Sequence, residues 1–241
     1  MKKELVLLLI ITFVLNENLQ AQVNKYAFGD SIFVWASSLN LRESANAEAK
    51  IVAKVTYGTA LVIVDEEIGK VAYRYKALEA TTTEDGVKTK PYYIDGFWVK
   101  VNYNGTLGYV FDGYLSKIKT KALSADKLGF IEVWAKQVLK LTPKKYIDKE
   151  NDNVWTDYVG KLDIIRIRVG HDSKTAFNQV KFKNISFEEA SMIGLRIFEG
   201  SYLMESNSDQ VVFKSKNDNG DCEIRITKKE AWIVITLSCS C

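Results

Sequence analysis

The sequence predicts a mainly β protein: a small β-barrel with an inserted hairpin, followed by an α+β domain with an antiparallel sheet and two helices. Three observations carry this. From Ser31 to Ser116, short β-rich runs recur between glycine turns. Between Trp98 and Tyr103 the side chains alternate, with Val99, Val101 and Tyr103 on one face and Trp98, Lys100 and Asn102 on the other. Beyond Lys121 that pattern gives way to two stretches of helical spacing, with strands between and after them.

The chain opens with Lys2 and Lys3, an apolar run from Leu5 to Leu15, a polar break at Asn16-Glu17-Asn18, and the small residue Ala21. Basic, apolar, polar and small is the order of a cleaved secretion signal. The run is shorter than the about twenty residues a spanning helix needs. Residues 1–21 are therefore expected to be a signal peptide, leaving an exported protein, periplasmic or secreted, with no membrane span after cleavage. The competing reading, a buried first strand, sits badly with Glu17 between two asparagines.

Composition excludes little: 47% of residues are hydrophobic and 26% charged, as in an ordinary globular protein. Lys and Arg number 33 against 30 Asp and Glu, interspersed rather than striped, so no nucleic acid partner is expected.

Residues 22–119 are read as the barrel domain. Ile51 to Val64 holds two short runs around the turn Tyr57-Gly58-Thr59. Asn104-Gly105, the strongest short hairpin signal, joins Trp98–Tyr103 to a return strand, Thr106–Phe111. Between them lies a long insertion, 66–96. In it Val71–Tyr75 and Lys90–Ile94 flank Glu84-Asp85-Gly86, which predicts a hairpin running on past the barrel. Four tyrosines (Tyr73, Tyr75, Tyr92 and Tyr93) argue against a disordered loop.

This stretch resembles the bacterial SH3 domains. The matching pieces are Leu39-Asn40-Leu41-Arg42, Ile51-Val52-Ala53-Lys54-Val55 with Tyr57-Gly58-Thr59, Trp98-Val99-Lys100-Val101, Gly108-Tyr109-Val110 and Tyr114-Leu115-Ser116. It departs from the family's usual pattern at Glu43-Ser44-Ala45-Asn46, where a Gly-Pro turn is expected, and at the insertion. The resemblance implies an SH3-like barrel that binds a peptide in an aromatic groove. Trp98 and Tyr114 match groove positions, and Tyr109 flanks the core-type Val110, so Trp98, Tyr109 and Tyr114 are the expected ligand-binding residues. The alternative is that these rings merely cover a neighbouring loop, with the inserted hairpin lying over them.

Residues 120–241 resemble no family and read as the α+β domain. Ser124 is placed as a helix N-cap, and Leu128, Ile131, Ala135 and Val138 share a face of a helix ended by Pro143. Ser186-Phe187-Glu188-Glu189 fits a capping box opening a second helix that stops at Gly200. Strands are expected at Leu162–Val169, Phe177–Phe182, Gln210–Lys214, Cys222–Thr227 and Trp232–Leu237.

No catalytic constellation is legible. The one histidine, His171, reads as a turn residue after a strand, and carboxylates such as Glu132 and Asp163 have no evident partner. Lys216–Asp221 lacks calcium-loop spacing and reads as a turn. No metal and no cofactor is expected.

The cysteines, Cys222, Cys239 and Cys241, all fall on one terminal hairpin. A turn near Lys229–Ala231 puts Cys222 opposite the Leu237–Cys239 stretch, and parity puts the cysteines on one face. In an oxidising compartment a Cys222–Cys239 disulfide is favoured over Cys222–Cys241, and three reduced cysteines packed as small hydrophobes are the alternative.

Together these readings point to an exported, non-catalytic binding or adaptor protein of the bacterial cell envelope, whose partner is a cell-wall peptide or an envelope protein. The alternative is an accessory protein of a cell-wall hydrolase system, or a hydrolase itself.

Overall fold

The computed structural model describes residues 25–64, 71–83, 85–120, 127–148, 153–159, 165–171, 175–198, 200–215 and 222–240. The expected signal peptide, the Ser124 cap, Asp163, the Lys216–Asp221 turn and Cys241 lie outside them, as does the side chain of Leu128. No helix among the described residues is long and apolar enough to cross a membrane.

The chain is mainly β, in two antiparallel sheets. The first is built from β1 (Ser31–Val34), β2 (Ser38–Arg42), β3 (Ile51–Thr56), β4 (Ala60–Ile63), β5 (Ala72–Leu78), β6 (Tyr92–Tyr103), β7 (Thr106–Phe111) and β8 (Leu115–Ser116). Its order is β3-β2-β7-β6-β4-β1-β8, with β5 paired to β6 alone. Alternation does what it should: Val99 and Val101 from β6, Val110 from β7 and Leu41 from β2 point into one fully buried core. Asn104 and Gly105 take the positive φ values, 50° and 86°, that a tight two-residue hairpin demands.

The insertion forms the expected hairpin. β5 runs antiparallel to the first half of β6, so a single twelve-residue strand serves both hairpin and barrel. Its far end is largely exposed, while Tyr73 and Tyr75 near its base pack back on barrel rings. Gly96 permits this, because a Cβ there would fall on the Asp112 carboxylate and 2.8 Å from the Phe111 ring.

The second unit is a helix followed by a four-stranded meander, twice over. The first repeat has α1 (Lys127–Val133), continued by a π-helical turn at Trp134–Val138, then β9 (Thr142–Asp148), β10 (Asn153–Val159), β11 (Ile165–His171) and β12 (Thr175–Phe182). The second has α2 (Phe187–Ile197), then β13 (Ser201–Ser206), β14 (Gln210–Ser215), β15 (Cys222–Lys229) and β16 (Trp232–Ser240). The last strands of the two repeats pair, giving the order β13-β14-β15-β16-β12-β11-β10-β9. That mirror order is what two copies of one meander produce when joined along their final strands.

Several expectations are corrected here. Pro143 does not end the first helix. Lys140 does, at φ 51°, and Pro143 sits in β9, an edge strand where a missing N–H costs no interior ladder bond. β9, β10 and β13 were not expected, since a largely exposed edge strand such as β9 has no apolar alternation to betray it. His171 is not a turn residue but closes β11, in register with Val154 and Ala176.

Helix α2 starts as its sequence says, with Ser186 Oγ accepting from the Glu189 N–H at 3.0 Å. The capping box is only half made, because the Glu189 carboxylate turns instead toward Ser116 and Lys25 of the barrel unit. The helix is buried on nearly every side. Gly194 lets it press on Ile226 of the sheet, while its other flank meets the barrel.

The paired cysteines are Cys222 and Cys239, directly opposite each other on β15 and β16 and joined as a disulfide with Cα atoms 4.0 Å apart.

Candidate functional site

Between the two units lies an aromatic cluster that the inserted hairpin creates. Tyr73 of β5 packs on Trp98 at 5.4 Å and on Phe111 at 5.2 Å. Tyr75, two residues on and therefore on the same side of β5, packs on Tyr114 at 5.4 Å. The hairpin thus lays its tyrosines over the barrel face where the ligand groove was expected.

The three expected groove residues part company here. Trp98 is on the face opposite Val99, as its parity requires, but it is only 6% exposed because Tyr73 and Phe111 cover it. It is a core residue, and the expectation that it lines an open groove is corrected. Tyr109 is half-buried beside Lys100, whose ammonium stands 6.0 Å from its ring centroid, and it does not face the cavity described next. Tyr114 does face it.

That cavity, of about 300 Å³, opens where three segments meet. Trp35 and the Ser37-Ser38 rim come from the β1–β2 connection, Tyr75 and Leu78 from the hairpin, and Met192, Leu195 and Arg196 from α2. Gly200 and Ser201, at the start of β13, complete the wall. Nothing in local sequence announces it, since its walls come from positions more than a hundred residues apart. The clue within reach was the insertion's tyrosine content.

The walls are held firmly. The Trp35 indole N–H donates to the Ile118 carbonyl at 3.0 Å, and the Trp134 indole to Lys119 at 2.9 Å. The Tyr57 hydroxyl bonds that of Thr120. Ile118, Lys119 and Thr120, which follow the barrel's last strand, are therefore each held by one of these side chains. Burial and the adjoining Tyr75 push the Tyr114 phenol well above the usual tyrosine range, so it stays neutral and can donate at any physiological pH.

A second polar cluster sits under the same junction. Lys25 Nζ lies 3.8 Å from Glu189 Oε2 and donates to the Leu115 carbonyl at 3.1 Å. Asp112 and Glu189 are 4% and 5% exposed, and desolvation raises the pKa of both, which Lys25 partly offsets. The Asp112 carboxylate accepts from the Phe97 N–H at 2.7 Å. The two carboxylates are buried and Lys25 is partly exposed, and together they form a clamp between the barrel unit and α2. Among the described residues no group of three or more His, Cys, Asp or Glu side chains converges as a metal site.

The small barrel of short antiparallel strands places the first unit in the SH3-like class. Residues 37–116 match the family model of the bacterial SH3 domain, and that segment is a bacterial SH3 domain, with β1 and the buried Tyr26 added before it. No curated protein matches the chain. Among solved structures, NlpC1 from Trichomonas vaginalis is 12% identical over 90% of this chain and 91% of that one, with a TM-score of 0.15, too low to carry an argument.

Proposed function

We propose that this is an exported, non-catalytic binding protein of the bacterial cell envelope, and that it holds a wall peptide or a protein segment at the junction of its SH3 barrel and its second unit. The observation that carries this is the cavity between the hairpin, the barrel and α2, with Tyr75 and Tyr114 on its wall. Rigid aromatic walls give contact area at little entropic cost, which is how SH3-like modules hold extended segments. The bacterial SH3 domain at 37–116 supports a cell-wall role, and the disulfide supports an oxidising compartment.

The test is co-sedimentation of the purified protein with peptidoglycan, beside Ser37→Trp. Ser37 is exposed at the cavity rim, so an indole there blocks entry without disturbing the core. Pelleting that Ser37→Trp reduces at least about tenfold supports the reading. Equal pelleting of both proteins, or none by either, overturns it.

A further inference from the structure

Two short elements carry both the clamp and the cavity. The turn Asp112–Tyr114, between β7 and β8, has a buried carboxylate at its start and a ring of the cavity wall, Tyr114, at its end. Helix α2 repeats that pairing, with the buried Glu189 in its first turn and then Met192 and Leu195 on the wall. The turn and the helix pack against each other. A change in the fit between them therefore changes the spacing of two of the cavity's walls.

Lys25 spans the same seam. Its ammonium donates to the Leu115 and Asp112 carbonyls at 3.1 and 3.4 Å and stands 3.8 Å from Glu189 Oε2. Glu189 also faces Ser116, Asp112 and Lys117, and Lys117 is itself paired with Asp30 at 2.7 Å. Asp112 faces Lys25 and the Phe97 N–H. Tyr26 donates its hydroxyl to the Leu115 carbonyl at 2.6 Å and stays neutral, because burial first, and then Glu189, Asp112 and Asp30, push its phenol well above the usual tyrosine range. At the seam itself two buried carboxylates thus meet one ammonium. With both ionised they leave one negative charge unbalanced away from water, and a single bound proton removes it. Desolvation accordingly raises the pKa of both, with Lys25 opposing the rise in each.

Deepening the binding role given above to this cavity, we propose that Lys25, Asp112 and Glu189 form a pH-dependent latch on it. While one of the two carboxyls is protonated the seam is neutral and α2 stays seated on the turn. Loss of that proton leaves a buried negative charge that lifts α2 from the barrel and opens the cavity. In the lifted state water reaches the carboxyls and returns them to their ordinary values, 3.8 for Asp112 and 4.5 for Glu189. A group whose pKa is raised in the seated state stabilises that state fully below its ordinary value and ceases to as pH rises through the raised one. Within that window each pH unit moves the balance about tenfold toward the lifted state for each proton released. Acid closes the cavity and alkali opens it.

Hydrogen exchange of the purified protein tests this, followed by mass spectrometry at about pH 5 and about pH 8 with each rate corrected for its intrinsic pH dependence. Helix α2 is expected to lose at least about tenfold in protection at the higher pH, while β7 in the barrel core keeps its own. Glu189→Gln, which stands in for the protonated carboxyl, is expected to keep at high pH the protection that the parent shows at low pH. Asp112→Asn is expected to do the same, and it carries the test if Glu189→Gln folds poorly. Equal α2 protection at both pH values in the parent, an equal loss throughout the protein, or a pH dependence that survives in both variants each overturns the proposal. No ligand enters the measurement. Peptidoglycan pelleting that Ser37→Trp reduces, beside pH-independent exchange, would therefore sink the latch and leave the binding role standing, and pH-dependent exchange without pelleting would do the reverse.

Discussion

Trp35 and Trp134 meet edge to face, ring centroids 5.6 Å apart and planes at 76°, and each donates its indole N–H to one of two successive carbonyls, Ile118 and Lys119. One ring comes from the barrel and the other from the π-helical turn after α1. The same two side chains therefore join the cores of the two units and hold Ile118 and Lys119 at the end of the barrel domain. Both are fully buried, and the larger hydrophobic core runs through them from Trp98 and Phe111 to Ile224 and Ile235.

A shared core predicts shared unfolding. Trp134→Ala is expected to cost about 3–5 kcal/mol, the usual range for emptying a buried aromatic site. It should also split a single thermal transition into two, as barrel and second unit lose their common wall. Differential scanning calorimetry of the parent and the variant decides it. A parent that already shows two well-separated transitions would refute the coupling.

Trp98 is expected to act through stability. Trp98→Ala should cost about 3–5 kcal/mol in urea unfolding, because it empties the site under Tyr73. Trp98→Phe keeps most of the apolar volume and should retain peptidoglycan pelleting. Loss of pelleting in a fully stable Trp98→Phe would return this residue to the binding surface.

The clamp predicts an unusual pH dependence. Glu189 and Asp112 have folded-state pKa values raised by burial, so in the window above the ordinary carboxylate values, 4.5 and 3.8, the folded protein binds more protons than the unfolded one. Their stabilising contribution is complete below those values and is lost as pH rises through the raised ones. Lys25, Ser116 and Lys117 face Glu189 and limit the rise, while Asp112 adds to it. Glu189→Gln should therefore gain melting temperature relative to the parent as pH goes from about 4 to about 7. Glu132 shifts the opposite way, lowered by Lys136 and Tyr158, so the difference between variant and parent is the quantity to follow. A gap that stays constant with pH would rule out the clamp as its source.

The disulfide closes a loop with a sequence separation of 17. Loops of that size typically contribute about 3 kcal/mol by restricting the unfolded chain. Cys239→Ser is expected to lower the urea midpoint accordingly, and reductant should lower the parent's midpoint but not the variant's. Non-reducing mass spectrometry that finds three free thiols would contradict the pairing.

Local chemistry was enough for a good part of this molecule. Asn104-Gly105 specifies its turn because few residues accept positive φ in succession, Ser186 caps its helix through its own side chain, and the parity of Cys222 and Cys239 places them on one face before any packing is known. The SH3 barrel was legible for the same reason, as its alternation and turns are short-range. The edge strand β9 was not, because a strand that buries little carries no pattern. Trp98 shows the limit most clearly. Parity told which face its ring is on, but whether that face meets water or protein depended on where the hairpin from 72 to 96 came to rest. The cavity is of the same kind: Trp35, Tyr75, Tyr114, Arg196 and Ser201 converge only when two cores fuse, and burial at that junction is a long-range property that no window of the sequence contains.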